Sequence, residues 1–554
     1  MNAKNLPLQL RYLFWYAVLV LSLVQCANPI SPTGGPRDEQ PPQIDSTRST
    51  PNLQTNFRPK TIELTFDEWI KLEQVNQQVV ISPPLQGYEV RLKGKTVILD
   101  LGDEDTLRNN VTYVVQFGEA VKDLTESNPA DDLRFVFSTG PYIDSLELSG
   151  QVVDAYTAEP VEKALVMLYD NLADSVFRTT KPFYFGRTNE QGQFRISNVR
   201  GGFYKVAALE DSDANYRFNQ AAERIAFLTD SIELTADTSV ALNLRLFREQ
   251  LPLQLAEADS SRWGRLKLVF NREPTEELNL IADVPYERIN QTDSLMLWHQ
   301  EEQAWELIVT ADTLLNDTIP VPAAPVANAV RPRSLSVVNI PGSSPTRHAP
   351  QKPLAIGFDR PVSALDTSLI NLLADTLLER LTYTWAIDSL NPQIVELDLK
   401  LKEQTQYALE LLPGAVIDYW GVPSADTLVR NWTTIDRKSL GNLTIRFTDV
   451  DTTTQYHCRL LVSSKAPTAI FNHTGALSYT NEFKLLPPGD YQLEIIEDLN
   501  GNGRWDSGNY DLKRQPERVY IRTLETLRAN WDLEVDIDLS TLFSAIGKTE
   551  NAEE

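Results

Sequence analysis

The sequence predicts an all-β protein built from several β-sandwich domains in tandem. Three observations lead to this prediction. A chain of 554 residues is too long for a single ordinary domain. Apolar and polar residues alternate in many short stretches, which is the period of a strand with one buried face. Several of these stretches recur along the chain, and no long helical period interrupts them.

The composition supports packed cores and disfavours one class of partner. Hydrophobic residues make up 42% of the chain and aromatic residues 9%, which is enough to bury real cores. The formal net charge is −25 and no basic cluster is present, so we do not expect nucleic acid as a partner. Cys26 and Cys458 are the two cysteines. If Cys26 is chemically occupied, no internal disulfide can form and stability must come from packing.

Residues 1–25 predict a signal peptide. Lys4 and Arg11 supply positive charge, and the apolar run that follows is shorter than the roughly 20 residues of a transmembrane helix. The run ends in Leu-Val-Gln-Cys at Cys26, which resembles the lipobox of bacterial lipoproteins. The resemblance implies cleavage before Cys26 and a covalent lipid on its sulfur. The alternative is an uncleaved signal anchor with a chance cysteine.

The segment after the lipobox predicts a flexible tether over residues 26–42. It is rich in Pro, Gly and polar residues, which do not pack into a core. Ala27 supplies no aspartate-type signal for retention in the inner membrane. We therefore expect a lipid-anchored protein of the outer membrane, on either its periplasmic or its surface face.

One repeated pattern is an alternating strand that ends in Phe followed by Asp or Asn. It occurs at Phe66-Asp67, Phe270-Asn271 and Phe358-Asp359. Strands beginning at Tyr113 and Tyr407 form a second recurring pair, each leading into a glycine turn. These features resemble the SbsA-type bacterial Ig-like domain of S-layer-type and Bacteroidetes surface proteins. The resemblance implies Ig-like domains at 43–140 and 335–436 and a degenerate copy at 250–330.

A second repeated unit lies between the Ig-like ones. "GGFYKVAALED" from Gly201 aligns without gaps with "PGDYQLEIIED" from Pro488. The order of strands and turns around the first of these resembles the carboxypeptidase regulatory-like, or prealbumin-like, β-sandwich. The resemblance implies two such domains, at 144–248 and 438–540, followed by a polar tail at 541–554.

The stretch "DLNGNGRWD" from Asp498 has the spacing of a calcium loop. A calcium loop supplies several oxygen ligands to the ion, and it needs a glycine at its sixth position to make a sharp turn. Gly503 takes that position. The oxygens would come from the side chains of Asp498, Asn500, Asn502 and Asp506 and from the backbone carbonyl of Arg504. Asn509 stands where a bidentate Glu normally completes the shell. The pattern thus predicts at most a weak calcium site.

The alternative is that this stretch is only a structural connection. The first unit has "DSDANYRFN" at the same place, beginning at Asp211. Its Tyr216 replaces Gly503, and Asx and glycine turns use the same residue types without a metal. In this interpretation Trp505 and Phe218 are buried anchors of equivalent loops.

The sequence offers little that would support catalysis. His299 and Glu302 have the His-x-x-Glu spacing of zinc carboxypeptidases, but they lie in a strand-turn-strand pattern without a third ligand. His457 and Cys458 are neighbours in a strand, so their side chains point to opposite faces. We therefore expect no enzyme and no catalytic residue.

The most economical hypothesis is a non-catalytic scaffold that presents β-sandwiches to a protein or glycan partner. The alternative is a polysaccharide-binding component of an uptake system, which needs an exposed aromatic platform. Candidates for that platform are Trp69, Trp298, Trp305, Trp385, Trp420 and Trp505. Glycan binding would separate the two hypotheses.

Overall fold

The computed structural model describes residues 39–542, apart from 86, 103–106, 131–132, 236–239, 276, 312–314, 325–334, 339–346, 349–353, 375–378, 382, 399–400 and 463–466. The predicted signal peptide and the predicted lipidation site Cys26 lie outside the described residues. Within the described ranges, no helix has the length and apolar character needed to cross a membrane. The chain divides into two compact units, Met1–Ser145 and Leu146–Glu554.

The first unit is a β-sandwich with a short helix α1 (Val75–Gln78). Its strands are β1 (Thr61–Thr65), β2 (Ile70–Leu72), β3 (Val80–Ser82), β4 (Glu89–Lys93), β5 (Thr96–Asp100), β6 (Thr112–Gln116), β7 (Val121–Asp123) and β8 (Arg134–Ser138). They form the sheets β1-β5-β4, β3-β6-β8 and β2-β7. Alternate residues of β1, Ile62 and Leu64, are buried with the aromatic rings of β6 and β8. The alternation in the sequence therefore marks the face that packs inward.

The second unit opens with a sandwich over residues 146–248 and a short helix α2 (Val176–Thr179). Its strands are β9 (Leu146–Asp154), β10 (Leu165–Tyr169), β11 (Tyr184–Arg187), β12 (Gln193–Val199), β13 (Gly202–Leu209), β14 (Arg224–Phe227), β15 (Ile232–Leu234) and β16 (Val240–Arg248). The strand order is β11-β10-β13-β14-β16-β9-β12, with β15 beside β13. First and last strands, β9 and β16, pair in parallel.

Two further arrangements of strands follow in the same unit. The first contains β17 (Leu255–Asp259), β18 (Arg265–Phe270), β19 (Asn279–Ile281), β20 (Tyr286–Asn290), β21 (Ser294–His299), β22 (Trp305–Ala311) and β23 (Leu315–Val321). They form sheets β17-β18-β21-β20 and β19-β22-β23. Leu266, Leu297, Leu307 and Val309 from both sheets belong to one apolar core.

The second of these arrangements has its own core around Leu372, Val395 and Leu409. Its strands are β24 (Val337–Val338), β25 (Arg347–His348), β26 (Leu354–Phe358), β27 (Val362–Leu365), β28 (Ile370–Ala374), β29 (Glu379–Arg380), β30 (Thr384–Ile387), β31 (Ile394–Asp398), β32 (Gln406–Leu411), β33 (Val416–Asp418) and β34 (Leu428–Thr434). The sheets are β24-β26-β31-β30, β25-β34-β32-β28-β29 and β27-β33. The two-stranded sheet β27-β33 corresponds to the two-stranded sheet β2-β7 of the first unit.

A final sandwich closes the described chain. It consists of β35 (Gly441–Thr448), β36 (Gln455–Val462), β37 (Pro467–His473), β38 (Tyr479–Leu486), β39 (Tyr491–Asp498), β40 (Val519–Thr523) and β41 (Asp532–Asp538). The sheets are β38-β35-β41 and β37-β36-β39-β40. Here too the first and last strands pair in parallel. The protein is thus all-β, with tandem β-sandwiches, and the predicted fold class is confirmed.

The two sandwiches at 146–248 and 441–538 share a detail that the sequence alignment points to. Tyr204 and Tyr491 occupy the same place in the aligned segments, and each hydroxyl donates to the carbonyl four residues earlier, Arg200 O and Pro487 O, at 2.8 Å. Both rings are buried. The same tyrosine therefore closes the same turn at the start of β13 and of β39.

Candidate functional site at the contact between the repeated sandwiches

The loop after β39 is organised by the carboxylate of Asp498. This side chain is buried, and its Oδ1 accepts from the backbone N–H groups of Gly501 and Asn502 at 2.7 and 3.0 Å. Its Oδ2 accepts from Gly503 N at 2.8 Å and from the amide of Gln455 at 2.8 Å. Four donors converge on one carboxylate, which compensates its burial. Gly503 has a φ of +75°, where a side chain would be strained.

The other predicted calcium ligands lie in the same loop but face different partners. The amides of Asn500 and Asn502 both donate to Asp506 Oδ2, the latter at 2.7 Å. Arg504 donates from its guanidinium to Thr275 O at 2.7 Å. Asp506 is therefore brought together with the two asparagines, while Asp498 caps the backbone of the loop. The calcium site remains a prediction.

Glu517 is a central residue of this loop that the sequence pattern did not identify. Its carboxylate is buried and accepts from Leu499 N at 2.8 Å and Asp506 N at 2.9 Å. Burial raises the pKa of Glu517 to about 7, and the nearby charges of Asp506 and Asp498 act in the same direction. The repeated Glu-Arg pair, Glu223-Arg224 and Glu517-Arg518, is the sequence signal that could have revealed it.

The sandwich at 146–248, the first of the two repeated sandwiches, is called the first sandwich from here on. Its equivalent loop is built on the same two residue types, an Asp and a Glu. Asp211 accepts from Asn215 N at 3.1 Å and Tyr216 N at 2.9 Å. Glu223 accepts from Ser212 N at 3.3 Å. Asp211, Asp213 and Glu223 bring carboxylate oxygens within 4.8 Å of one another. Burial raises the pKa of Asp211. The three carboxylates thus meet in the first loop, whereas Asn500 replaces Asp213 in the second.

The second loop differs from the first by an insertion before its Glu. Residues 507–516 separate Asp506 from Glu517, whereas only 220–222 separate Asn219 from Glu223. The insertion extends onto the first sandwich, where the ring centroid of Tyr510 lies 5.2 Å from those of Phe177 and Phe227. The Tyr510 hydroxyl donates to Asp174 O, and burial raises its pKa to about 12. Tyr510 is therefore an aromatic anchor between two sandwiches distant in sequence.

Ion pairs surround this anchor. Arg178 donates to both carboxylate oxygens of Asp511, at 3.2 and 3.0 Å. Lys513 and Lys205 both contact Asp174, and their hydrogen bonds lower the pKa of that carboxyl to about 2. A cavity of about 260 Å³ lies at the same place, lined by both sandwiches. Because Asp174 is largely exposed, these pairs orient the contact more than they stabilise it.

A second set of contacts lies beside the insertion. Trp505 packs edge-on against Tyr156 of the first sandwich, with ring centroids 5.2 Å apart. The hydroxyl of Tyr156 donates to Glu494 Oε2 at 3.0 Å, and burial raises the pKa of this tyrosine to about 12. Gly508 lies against the ring of Phe247, where an added Cβ would come within 2.4 Å. The contact is therefore closely packed as well as charged.

The residues considered for catalysis are placed as structural groups. His299 is buried at the end of β21 beside Trp305, and burial lowers its pKa. Cys458 is buried in the core of the last sandwich, which raises the pKa of its thiol. The Nδ1 atom of His457 lies 2.7 Å from Asn472 Oδ1. A thiol held protonated in an apolar core is a poor nucleophile.

Four of the six candidate tryptophans are buried or half-buried, and two are exposed. Trp298 and Trp305 are buried and Trp420 and Trp505 are half-buried. Trp69 is 59% exposed and Trp385 is 36% exposed. A polysaccharide platform could therefore use only the last two of the six candidates.

Comparisons with solved structures give weak likenesses to other multidomain β proteins. A crystal structure of titin domains is 10% identical over 45% of this chain and 94% of that chain, with a TM-score of 0.14. The Bacillus anthracis TIE protein is 10% identical over 91% and 75%, with a TM-score of 0.15. Domains 1–6 of the surface layer protein SbsC are 11% identical over 83% and 64%, with a TM-score of 0.13. At these scores the likenesses carry no argument about function.

No curated protein matches the chain. A family model does match its N-terminal part, over the stretch where the strand ending in Phe66-Asp67 had indicated an Ig-like domain. That part of the prediction is confirmed. Residues 38–139 match the family model described as a bacterial Ig-like domain.

Proposed function

We propose that this protein is a non-catalytic, lipid-anchored scaffold of the outer membrane or cell surface. The observation that carries the proposal is the contact made by Tyr510 and the insertion around it. A loop of the last sandwich binds the sandwich at 146–248 through an aromatic anchor and flanking ion pairs. Fixed spacing between binding-competent surfaces is what a scaffold requires.

The module boundaries are part of this proposal. We infer a signal peptide at 1–25, a tether at 26–42, Ig-like modules at 43–140, 250–330 and 335–436, and prealbumin-like modules at 144–248 and 438–540. The parallel pairing of first and last strands in both 146–248 and 441–538 supports the assignment of these two to one type. A Bacteroidetes source and the SbsA-type and carboxypeptidase regulatory-like families belong to the same proposal.

Lipidation can be tested with the second cysteine as a matched control. Cells expressing the full chain are grown with radiolabelled palmitate, and the protein is isolated from membrane and aqueous fractions. We expect label and membrane attachment in the wild type and in Cys458→Ala, and neither in Cys26→Ala. An unlabelled wild-type protein in the aqueous fraction would remove the anchor from the proposal.

Two measurements test the scaffold proposal: on which face of the membrane the protein lies, and whether it binds glycans. Proteinase treatment of intact cells reports the membrane face. A glycan array probed with the purified chain reports the alternative, a polysaccharide-binding role. We expect no glycan to bind. Specific glycan binding that is lost in Trp69→Ala or Trp385→Ala would replace the scaffold proposal with the alternative.

A further inference from the structure

The cavity at the contact between the first and the last sandwich is lined by both of them and has a volume of about 260 Å³. Lys205, Phe227 and Leu228 of its lining come from the first sandwich, and Tyr510 and Lys513 come from the insertion of the last one. We call it the Lys205 cavity. Pockets for drug-sized ligands measure about 300–1,000 Å³, so this cavity has room only for a small molecule.

Aromatic rings form the apolar part of the lining. The ring centroids of Phe177 and Phe227 each lie 5.2 Å from that of Tyr510, and Leu228 lines the cavity with them. Aromatic rings pack well against another flat ring at centroid distances of about 4.5–7 Å. This part of the cavity therefore fits a small flat apolar group.

Two lysines in the lining share one carboxylate. Asp174 accepts from Lys205 at 2.5 Å and pairs with Lys513 at 2.8 Å. Among the described residues, Asp174 is the one carboxylate that pairs with either lysine. Hydrogen bonds from both lysines lower the pKa of Asp174 to about 2, so it carries its full negative charge at neutral pH. Two ammonium groups against one carboxylate leave one positive charge in excess.

The third cation of the lining is matched by its own carboxylate. Arg178 pairs with Asp511 at 3.0 Å, and Glu249, which lies 3.6 Å from Arg178, is outside the lining. The charged side chains that line the cavity are therefore three cations and two anions: Lys205, Lys513 and Arg178 against Asp174 and Asp511. The excess positive charge lies at the lysines.

Lys205 is also the least exposed of these five side chains. It is 14% exposed, whereas the other four range from 34% to 67%. An ammonium group has three donors, and the hydrogen bond to Asp174 uses one of them. A cation that water reaches poorly gains more from a charged ligand than the exposed carboxylates do, because water already solvates the carboxylates. The cavity therefore favours an anion over a cation.

The repeated sandwich shows that the fold does not require a cation at this position. In the aligned segments Gln492 of β39 stands where Lys205 stands in β13. Each directly follows the tyrosine that closes the turn, Tyr204 or Tyr491. A largely buried charge costs free energy that an amide does not. Lys205 is thus a feature of the copy that lines the cavity and not of the sandwich as such.

We infer that the Lys205 cavity binds a small aromatic carboxylate. The carboxylate accepts from the ammonium groups of Lys205 and Lys513, and the ring packs against Phe227 and Tyr510. Because one lysine comes from the first sandwich and the other from the insertion, the bound anion strengthens the contact between the two sandwiches. Such a site goes beyond the scaffold proposal and does not depend on the lipid anchor.

The test uses 4-fluorobenzoate as the probe and the purified full chain. The matched control is 4-fluorobenzamide, which has the same ring without the charge, and fluorine NMR measures the binding of both. We expect 4-fluorobenzoate to bind with a Kd below about 10 mM and about tenfold more tightly than the amide. The cationic 4-fluorobenzamidine should bind more weakly than either.

Lys205→Gln places in the first sandwich the residue that the last one has, so this variant should fold. We expect its affinity for 4-fluorobenzoate to fall about tenfold, to that of the amide, because the charge-assisted hydrogen bond is lost. The control is Lys163→Gln in the same sandwich. Lys163 also pairs with a carboxylate, that of Glu162 at 2.7 Å, but it is 74% exposed and outside the cavity. Its variant should bind as the wild type does.

Lys513→Gln tests the second lysine without a change in the first sandwich. We expect a smaller loss of affinity than in Lys205→Gln, because Lys513 is 53% exposed. Hydrogen exchange of residues 174–180 gives a second readout. Adding 4-fluorobenzoate should slow this exchange in the wild type and have less effect in either variant, since a ligand stabilises the state that binds it.

Four results would overturn the inference. They are no binding of 4-fluorobenzoate below about 10 mM, equal binding of the amide, tighter binding of the amidine, and an affinity that neither lysine variant changes. Palmitate labelling and proteinase treatment of cells report the anchor and the membrane face separately, so failure of this site is distinguishable from failure of the scaffold proposal.

Discussion

The loops after β13 and β39 leave equivalent strands and are closed in the same way, but only the second has an insertion that extends onto another sandwich. Asp211 and Asp498 each cap the N–H groups of their loop, and Glu223 and Glu517 each close its far end. The insertion before Glu517 adds Tyr510, which packs among phenylalanines of the first sandwich. The same turn design therefore presents Phe218 to this contact in one copy, and in the other copy it carries the insertion that makes the contact.

The largest expected effect comes from removing the anchor. Tyr510→Ala leaves the rings of Phe177 and Phe227 without their partner, and we expect the contact to lose about 3–5 kcal/mol. Native-state hydrogen exchange of residues 174–180 measures the loss. Leu512→Ala, in the same insertion but 72% exposed, is the control and should change little. Equal protection in Tyr510→Ala and wild type would contradict the role of the anchor.

A smaller effect is expected from crowding the same contact. Gly508→Ala pushes a methyl group against the ring of Phe247, and we expect a loss of about 1–3 kcal/mol. The control is Gly489→Ala, where the nearest atom, in Val462, is 3.6 Å from the added carbon. Thermal unfolding of the two variants checks the difference. If Gly489→Ala were the more destabilising, the packing at Phe247 would not be tight.

The raised pKa of Glu517 predicts that the free energy of unfolding depends on pH. The unfolded chain loses this proton near pH 4.5 and the folded chain near pH 7, so between these values the unfolded state binds fewer protons. Stability should therefore fall as the pH rises from 4.5 towards 7, by at most about 1.4 kcal/mol per pH unit. Denaturant unfolding at several pH values measures the slope.

Glu517→Gln is the variant that isolates this effect. It cannot titrate, so its profile should lose the part of the slope that comes from position 517. An unchanged slope in this variant would assign the pH dependence to other carboxylates.

Calcium is expected to have the smallest effect. The hydrogen bonds of Asp498 and Asp506 close the second loop without an ion, so a chelator should leave the unfolding temperature unchanged. Calorimetry with millimolar calcium tests the same loop directly. A rise in unfolding temperature that disappears in Asp506→Ala would establish the predicted weak site.

The repeats were predictable from the sequence because each strand carries its own signal. Alternation identified the inward face of β1, and the aligned Tyr204 and Tyr491 make the same hydrogen bond. Of the two loop anchors predicted to be buried, Phe218 is buried and Trp505 is half-buried. Glu517 was missed because the insertion moves it out of the calcium-loop spacing, so that only the repeated Glu-Arg pair, and no spacing from Asp498, marks it in the sequence.

The amino-acid sequence was enough to predict an all-β, repetitive protein, since the period of a strand and the residues of a turn are properties of neighbouring positions. The three-dimensional fold was needed to show which strand ends are covered: Tyr419, after β33, is half-buried and its carbonyl accepts from Gln300, whereas Leu124, after the equivalent strand β7, is exposed. Contacts such as that of Tyr510 with Asp174 join residues far apart in the chain and therefore leave no period in the sequence.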